Sequence, residues 1–447
     1  MQDSPDVAQD FASLRALMPW LVRRSSTDLQ RARGAYRNPH ARDRARVMHS
    51  RSFRCLQGKQ SWMGLDEGEV MRSRMTQTLE AAQLSRGLLR ALQGLHSPSE
   101  AWVPLLPDPN LIEAIAFARH MGAPAFGRSG ETALNFLMRH HGGFESGAQS
   151  LRLLARCEPY EEGFGLDLSR RVLLGALQHP ASLVQLRRHE AAADAKAGQA
   201  PRRADWHPPH GFYAEDQTVV NWILMPMASS DSEQVLKPQS PATALAHGHA
   251  GPGSLDSSIV STAADIAAGC HEFEDGIALG AIRHADWQAL TPDHGWASAV
   301  DLEDFDELGQ QLFNGSVAAR KRALGTLINA FVVSVEVEPR DGIQEPLMRW
   351  QAQLMPQARD LLAQLREVVS TRVCDHLQVQ AHEQTGATLL GGLFTAYAND
   401  PQTLLPPDVR TAHAAAESDA ARMRLIADHV AGLSDAQVST LHARLHR

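Results

Sequence analysis

The chain is expected to be all-α. Aromatic residues make up only 6% of it while Ala and Leu are abundant, apolar residues recur at three- and four-residue steps over long stretches, and one short run alone alternates like a strand. With 447 residues, 43% of them hydrophobic and 21% charged, it has material for a large core and is not a disordered chain. A prior of about 150 residues per domain would give three domains. The pattern instead suggests an arm over 1–40, one extended helical domain over 41–380, and a helical C-terminal region over 381–447 packed on it.

From Glu67 to Leu95, Val70, Met75, Leu79, Ala82, Leu84, Leu88, Leu89 and Leu92 recur at helical spacing with charges between them, which makes an amphipathic helix. Leu111 to Ala118 is almost continuously apolar after the start signal Pro107-Asp108-Pro109-Asn110, so a buried helix is expected there. Further helices are expected from Gly130 to the Gly142-Gly143 break, over Gly147–Cys157, Ser169–Leu177, Ser257–Ala281, Val317–Val337, Glu345–Val369 and Ala412–Leu445. Phe331 to Val337 is the strand-like run, and it can equally end a helix. Two stretches, near 191–209 and 228–254, lack an apolar period and read as irregular surface excursions. The histidines His247 and His249 in the second are solvated loop residues by default.

Lys and Arg total 43 against 51 Asp and Glu, a net charge of −8, which excludes a generally basic nucleic-acid binder. The exception is local: Arg23, Arg24, Arg31, Arg33, Arg37, Arg42, Arg44, Arg46 and Arg51 form a basic N-terminal run. It suits single-stranded nucleic acid or, alternatively, an oligomer interface. Cys55, Cys157, Cys270 and Cys374 are widely separated and form no CxxC pair, so neither a disulfide framework nor a cysteine metal site is indicated. The acidic N-terminus has no secretory pattern, and no run approaches the roughly 18 apolar residues of a membrane span. A cytoplasmic protein without membrane association is expected.

The most informative residues fall in a fixed order. His49-Ser50-Arg51-Ser52-Phe53-Arg54-Cys55-Leu56-Gln57-Gly58-Lys59 is followed by Arg74-Met75-Thr76-Gln77-Thr78-Leu79-Glu80 and by Arg119-His120-Met121-Gly122-Ala123-Pro124-Ala125-Phe126-Gly127-Arg128. Then come Gly143-Phe144-Glu145-Ser146, Gly163-Phe164-Gly165-Leu166-Asp167, and the stretch from Ser254 through Ala264-Asp265-Ile266 to Glu274-Asp275. Over most of the chain this series resembles the bacterial dGTP triphosphohydrolase family of HD-domain phosphohydrolases. The resemblance implies a helical HD-type fold, oligomerisation, and cleavage of a deoxynucleoside triphosphate into deoxynucleoside and triphosphate. It also implies a divalent metal held by two histidines and two aspartates.

The departures from the family pattern fall on the site. Gln77 stands where the family has its first metal histidine, Arg119 and His120 match the His-Asp pair, and Ala264 matches the last aspartate, with Asp265 the choice if the register slips by one. Arg128 stands at the histidine that assists the reaction. Ala268 and Glu272 match the tyrosine and aspartate that approach the sugar. A guanidinium cannot coordinate a metal or exchange a proton near neutral pH, and an amide is a weak ligand. The expectation is therefore a catalytically silent relative without a cofactor. It would bind a deoxynucleoside triphosphate or another phosphate ligand through Arg54, Gln57, Lys59, Arg119 and Arg128, or serve as a regulatory or scaffolding subunit of a homo-oligomer or of a hetero-oligomer with an active homologue. Arg119 and Arg128 can alternatively pair with Glu131 or Glu145 as structural salt bridges. The competing expectation is an active hydrolase with a relocated Mg or Mn site built from His120, Asp265 and His271. No Gly-x-Ser-x-Gly elbow, Walker loop or His-Glu-x-x-His motif points to another hydrolase chemistry.

Overall fold

The computed structural model describes residues 17–25, 38–60, 72–189, 201–302 and 304–445. Most of the expected N-terminal arm, including Arg31, Arg33 and Arg37, lies outside the described residues, as do the Glu67–Met71 start of the expected helix and the first part of the 191–209 excursion.

Helix α1 (Pro39–His49) starts with proline in its first turn and Asn38 as its cap, whose side chain accepts from the Ala41 N–H. Helix α2 (Arg74–Leu95) is capped by Ser73, and its apolar stripe through Ala81, Leu84, Leu88, Leu89 and Leu92 is buried. Helix α3 (Pro109–Ala118) is capped by Asp108, which accepts from the Asn110 and Leu111 N–H groups. Every residue from Leu111 to Ala118 is buried, as the apolar run requires. The one acid among them, Glu113, meets Arg44 and, at 2.8 Å, Arg86. Pairing is what allows a carboxylate there.

The chain enters α4 (Gly127–Leu137) through Phe126, whose φ of 58° is left-handed. Glu145 caps α5 (Ser146–Arg152) by accepting from the Ala148 N–H at 2.6 Å. The expected continuation to Cys157 is a π-type turn rather than α-helix. The long helix α6 (Leu255–Ala278), capped by Ser254, packs along α2. Together α2, α3 and α6 centre the main core, in which residues such as Leu88, Leu111, Ile112 and Ile259 are wholly buried. Each such side chain contributes about 1.5–3 kcal/mol relative to exposure.

Two expected helices are shorter than the periodicity suggested. Helix α7 (Val317–Val333) gives way to strand β1 (Val335–Pro339), which pairs antiparallel with β2 (Trp350–Leu354), Val335 opposite Leu354. The Glu345–Val369 segment is thus not one helix. Gln351 and Gln353 alternate with the buried Ala352 and Leu354 on a half-buried strand, and Pro356 opens a separate helix, α8 (Pro356–Val369). Among the described residues this hairpin is the only sheet. The 228–254 segment, read as irregular, contains a helix over Ser229–Leu236 whose Asp231 is buried, accepting from the Gln344 and Glu345 N–H groups. That anchor carries no apolar signature.

The C-terminal region contains α9 (Leu377–Asn399), α10 (Asp419–Ala431) and α11 (Asp435–Leu445). Leu390, Leu393, Phe394, Ile426 and Val430 form with Phe126, Leu134 and Phe144 a second core cluster that docks this region on α4. The described arginines of the N-terminal run are mostly engaged inside. Arg23 lies 2.5 Å from Asp43, and Arg46 bonds the Asp167 carbonyl and stacks 4.1 Å over Tyr160. Of the described members of the basic run, only Arg51 is exposed. All four cysteines are free, and among the described residues no helix is long and apolar enough to cross a membrane.

Candidate functional site

A cavity of about 160 Å³ lies where α2, the end of α3, the start of α4 and α6 meet. Arg74, Gln77, Glu80 and Ala81 reach it from one face of α2, as three- and four-residue spacing dictates. Arg119 and His120 come from the turn that ends α3, Arg128 from the first turn of α4, and Ala264, Asp265, Ala267, Ala268, His271 and Glu272 from α6. The structure thus gathers Gln77, Arg119, His120, Arg128, Ala264, Asp265 and His271 around one small space. Arg54, Gln57 and Lys59 do not line it. Arg54 and Gln57 are exposed elsewhere, and the buried Lys59 donates from Nζ to the carbonyls of Ala123 (2.6 Å) and Ala431 (2.7 Å).

Arg74 was missed by motif reading, although its place three residues before Gln77 puts both on the same helical face. Its Nη1 donates to Gln77 Oε1 at 3.1 Å. Arg119 donates to Ser261 Oγ at 2.8 Å, and Arg128 Nη1 lies 3.7 Å from Cys374 Sγ. The acids proposed as their partners have other bonds: Glu131 accepts from the N–H and hydroxyl of Ser146, and Glu145 accepts from Ala148 and sits 3.1 Å from His210 Nδ1. The turn bearing Arg119 is fixed by Ser150, whose Oγ donates to the Arg119 carbonyl and accepts from the Gly122 N–H. A side chain at Gly122 would bring a Cβ within 2.3 Å of the Ser146 carbonyl, so glycine is required by the close approach of α5.

Two further anchors set the walls. Arg72, just before α2, places its guanidinium among Glu80 (2.9 Å), Glu274 (2.5 Å) and Asp275. Burial raises the Asp275 carboxyl to about 6 even with Arg72 beside it, because Glu274 and Glu80 repel its charge. The second anchor is the turn between α10 and α11. Asp435 accepts from the Gln60 N–H at 3.1 Å and the Phe126 N–H at 2.9 Å. Gln60 bridges to Ser73, and the Arg74 N–H donates to the Lys59 carbonyl at 2.9 Å. One C-terminal carboxylate therefore ties down the segments that carry both Arg74 and Arg128.

The walls carry both signs of charge, Arg74, Arg119 and Arg128 beside Glu80, Asp265 and Glu272. Burial, then the charges of Arg74 and Arg119, hold His120 well below its ordinary range, so its imidazole is neutral at pH 7. Burial also lowers Arg74, and Arg128 pushes it further in the same direction. Glu80 is held below its ordinary value despite burial, since His271 Nδ1 at 3.0 Å and Arg72 both favour its charge.

A divalent ion does not fit these residues. Among the described residues no three His, Cys, Asp or Glu side chains converge as a ligand set. His120, Asp265 and His271 share the cavity wall, but Asp265 turns to Arg366 (3.1 Å) and His271 to Glu80.

Residues 352–444 match the model of the phosphohydrolase-associated domain. Three relatives carry the name deoxyguanosinetriphosphate triphosphohydrolase-like protein. The one from Vibrio vulnificus (strain YJ016) is 37% identical over 97% of this chain and 98% of its own length. The one from Vibrio parahaemolyticus is 37% identical over 92% and 94%, and that from Shewanella woodyi 35% identical over 96% of each. At that identity and coverage, this chain belongs to the deoxyguanosinetriphosphate triphosphohydrolase-like family.

Proposed function

We propose that this chain is a catalytically silent member of its family that binds a deoxynucleotide through its phosphates without a metal. The observation that carries this reading is the composition of the cavity walls. Gln77, Arg119 and Ala264 stand where the family resemblance places metal ligands, and Arg128 stands where it places a proton-transferring histidine. The Lewis acid and the proton shuttle contribute separately to hydrolysis, so their joint replacement removes many orders of magnitude of rate. Arginine is suited to the remaining task, since its fixed charge and forked donors bind phosphate oxygens directly. A protein of this kind would act as a regulatory or scaffolding subunit, alone or beside an active relative. Equilibrium binding of dGTP by the full chain, with chelator and with added Mn²⁺, tests the reading. Binding unchanged by chelator supports it; binding that requires Mn²⁺ overturns it.

A further inference from the structure

The two stretches without an apolar period come together on one surface beside the C-terminal end of α4. The short helix Leu183–Leu186 leads into Arg187 and Arg188. The turn over Thr243–Ala246 runs alongside: the Thr243 carbonyl accepts from the His189 N–H at 2.9 Å, and the Leu186 carbonyl accepts from the Gly248 N–H at 2.8 Å. His247 Nδ1 accepts from the Arg188 N–H at 3.0 Å, and the His207 ring meets the His247 ring edge-on at 5.4 Å. Arg202 and Arg203 open the adjoining short helix Arg203–Trp206, which is held to α4 where Trp206 packs edge-on against Phe136 at 4.8 Å and accepts from Asn135 Nδ2 at 2.9 Å. None of the four arginines lines the cavity described above.

The charge on this surface is only partly matched. Arg187 donates from Nη1 to the Arg139 carbonyl at 2.8 Å, and Arg188 from Nη2 to the Asp205 carbonyl. A carbonyl fixes a guanidinium in place but leaves its full charge. Among the described residues neither Arg187 nor Arg188 has a carboxylate bonded to it. The Asp205 carboxylate is bonded to Arg202 at 2.8 Å, and Glu383 favours the charge of Arg203. Burial and then Arg188 disfavour the charge of Arg187, while burial and then Arg128 disfavour that of Arg203. Burial, then His207, Arg188 and Arg187, push His247 down to about 4, so it is neutral at pH 7. On a chain of net charge −8 this is a local cationic face, and an anionic partner would relieve its internal repulsion.

The surroundings favour a protein over a nucleic acid. Val184 and Leu245, 61% and 77% exposed, stand next to the arginines in the same two segments. An acidic polypeptide uses both features, since forked guanidiniums take carboxylates and its apolar side chains cover the two aliphatic residues. A single strand of nucleic acid gains most from stacking on open aromatic rings. Here Trp206 is buried and Phe136 lies under the Arg139 guanidinium at 4.2 Å.

We infer that this face is a docking surface for an acidic, leucine-containing segment of a partner protein. Such docking is independent of whether the cavity takes a nucleotide.

Fluorescence anisotropy of the full chain with three labelled probes tests it: a peptide repeating Glu-Glu-Leu, its Lys-Lys-Leu counterpart, and a single-stranded oligothymidylate of similar length. The acidic peptide should bind and weaken as salt is raised. The basic peptide should not bind, and the oligothymidylate should be weaker than the acidic peptide by about tenfold or more. Arg187→Glu combined with Arg188→Glu should weaken the acidic peptide by about tenfold or more, as reversed charges at a contact do. Arg322→Glu on the exposed face of α7 should leave it unchanged. Where the double variant fails to fold, Arg202→Glu, at a side chain 77% exposed, takes its place and should also weaken the peptide. Absence of acidic-peptide binding, equal binding of the basic peptide, or affinity unchanged by the reversals overturns the inference. Tighter binding of oligothymidylate that displaces the peptide overturns it in favour of a nucleic-acid face.

Discussion

Replacing Arg72 with Met removes the cation at the centre of three carboxylates and should destabilise the fold in a pH-dependent way. In the native structure the Arg72 guanidinium lies 2.9 Å from Glu80 and 2.5 Å from Glu274 and also bonds Asp275, with its own side chain only 10% exposed. Its removal is not felt equally. Glu274 keeps Lys321 at 2.8 Å and Glu80 keeps His271 at 3.0 Å, so the loss concentrates on Asp275. Breaking a buried pair by removing one partner costs about 3–5 kcal/mol at a pH where the stranded group is charged. With the unfolding entropy scaling with the length of the chain, this lowers Tm by roughly 3–5 °C.

The sign with pH follows from Asp275. Its folded pKa is raised to about 6, above the ordinary 3.8, mainly by burial. A raised carboxyl favours folding in acid and loses that contribution as pH rises through the folded value, here over a window of about pH 4 to 6. Without Arg72 the carboxyl moves higher still and is protonated at pH 5. The Arg72→Met penalty should therefore be much smaller at pH 5 than at pH 7.5, and Asp275→Asn added to Arg72→Met should recover part of the loss at pH 7.5. Thermal unfolding followed by circular dichroism at both pH values measures this. An equal penalty at both, or a total loss under about 1 kcal/mol, would refute the assignment of Asp275 as the stranded charge.

Asp435→Asn sets an amide N–H₂ against one of the two backbone N–H groups that Asp435 now accepts, so it should cost about 1.5–3 kcal/mol in thermal unfolding. It should also weaken dGTP binding in titration, since those amides belong to the segments carrying Arg74 and Arg128. Gly122→Ala should destabilise by about 1–3 kcal/mol in the same unfolding assay, because its Cβ would lie 2.3 Å from the Ser146 carbonyl. Gln77→His restores one ligand type but leaves Arg119 and Ala264 in place. A Mn²⁺ titration of that variant should show no stoichiometric site.

The long elements were legible from their apolar periods, with Asp108 in the Pro107–Asn110 start signal also marking where α3 begins; the caps Ser73 and Ser254 stand away from the starts expected at Glu67 and Ser257. The hairpin was not, since Trp350 to Leu354 is only five residues long and sits between two helical patterns. For the site, motif order brought Gln77, Arg119, His120, Arg128 and Ala264 to one cavity without any knowledge of distance. It misplaced Lys59 relative to that cavity because a motif gives no direction to a side chain. This lysine points to the Ala123 and Ala431 carbonyls, and the second of these comes from a helix hundreds of residues away. Asp435 was invisible for the same reason. Its role is to accept two backbone N–H groups from distant segments, and backbone partners leave no trace in sequence.

The central claim is that the replaced ligands leave a site that binds phosphate but does not hydrolyse. Its most direct test is triphosphate release from dGTP by the purified full chain with Mn²⁺ or Mg²⁺, alongside the His120→Ala variant. No release above the protein-free rate from either preparation is the predicted result. Turnover by the unaltered chain that disappears in His120→Ala would contradict the account, because it would make His120 part of a working metal or proton-transfer site.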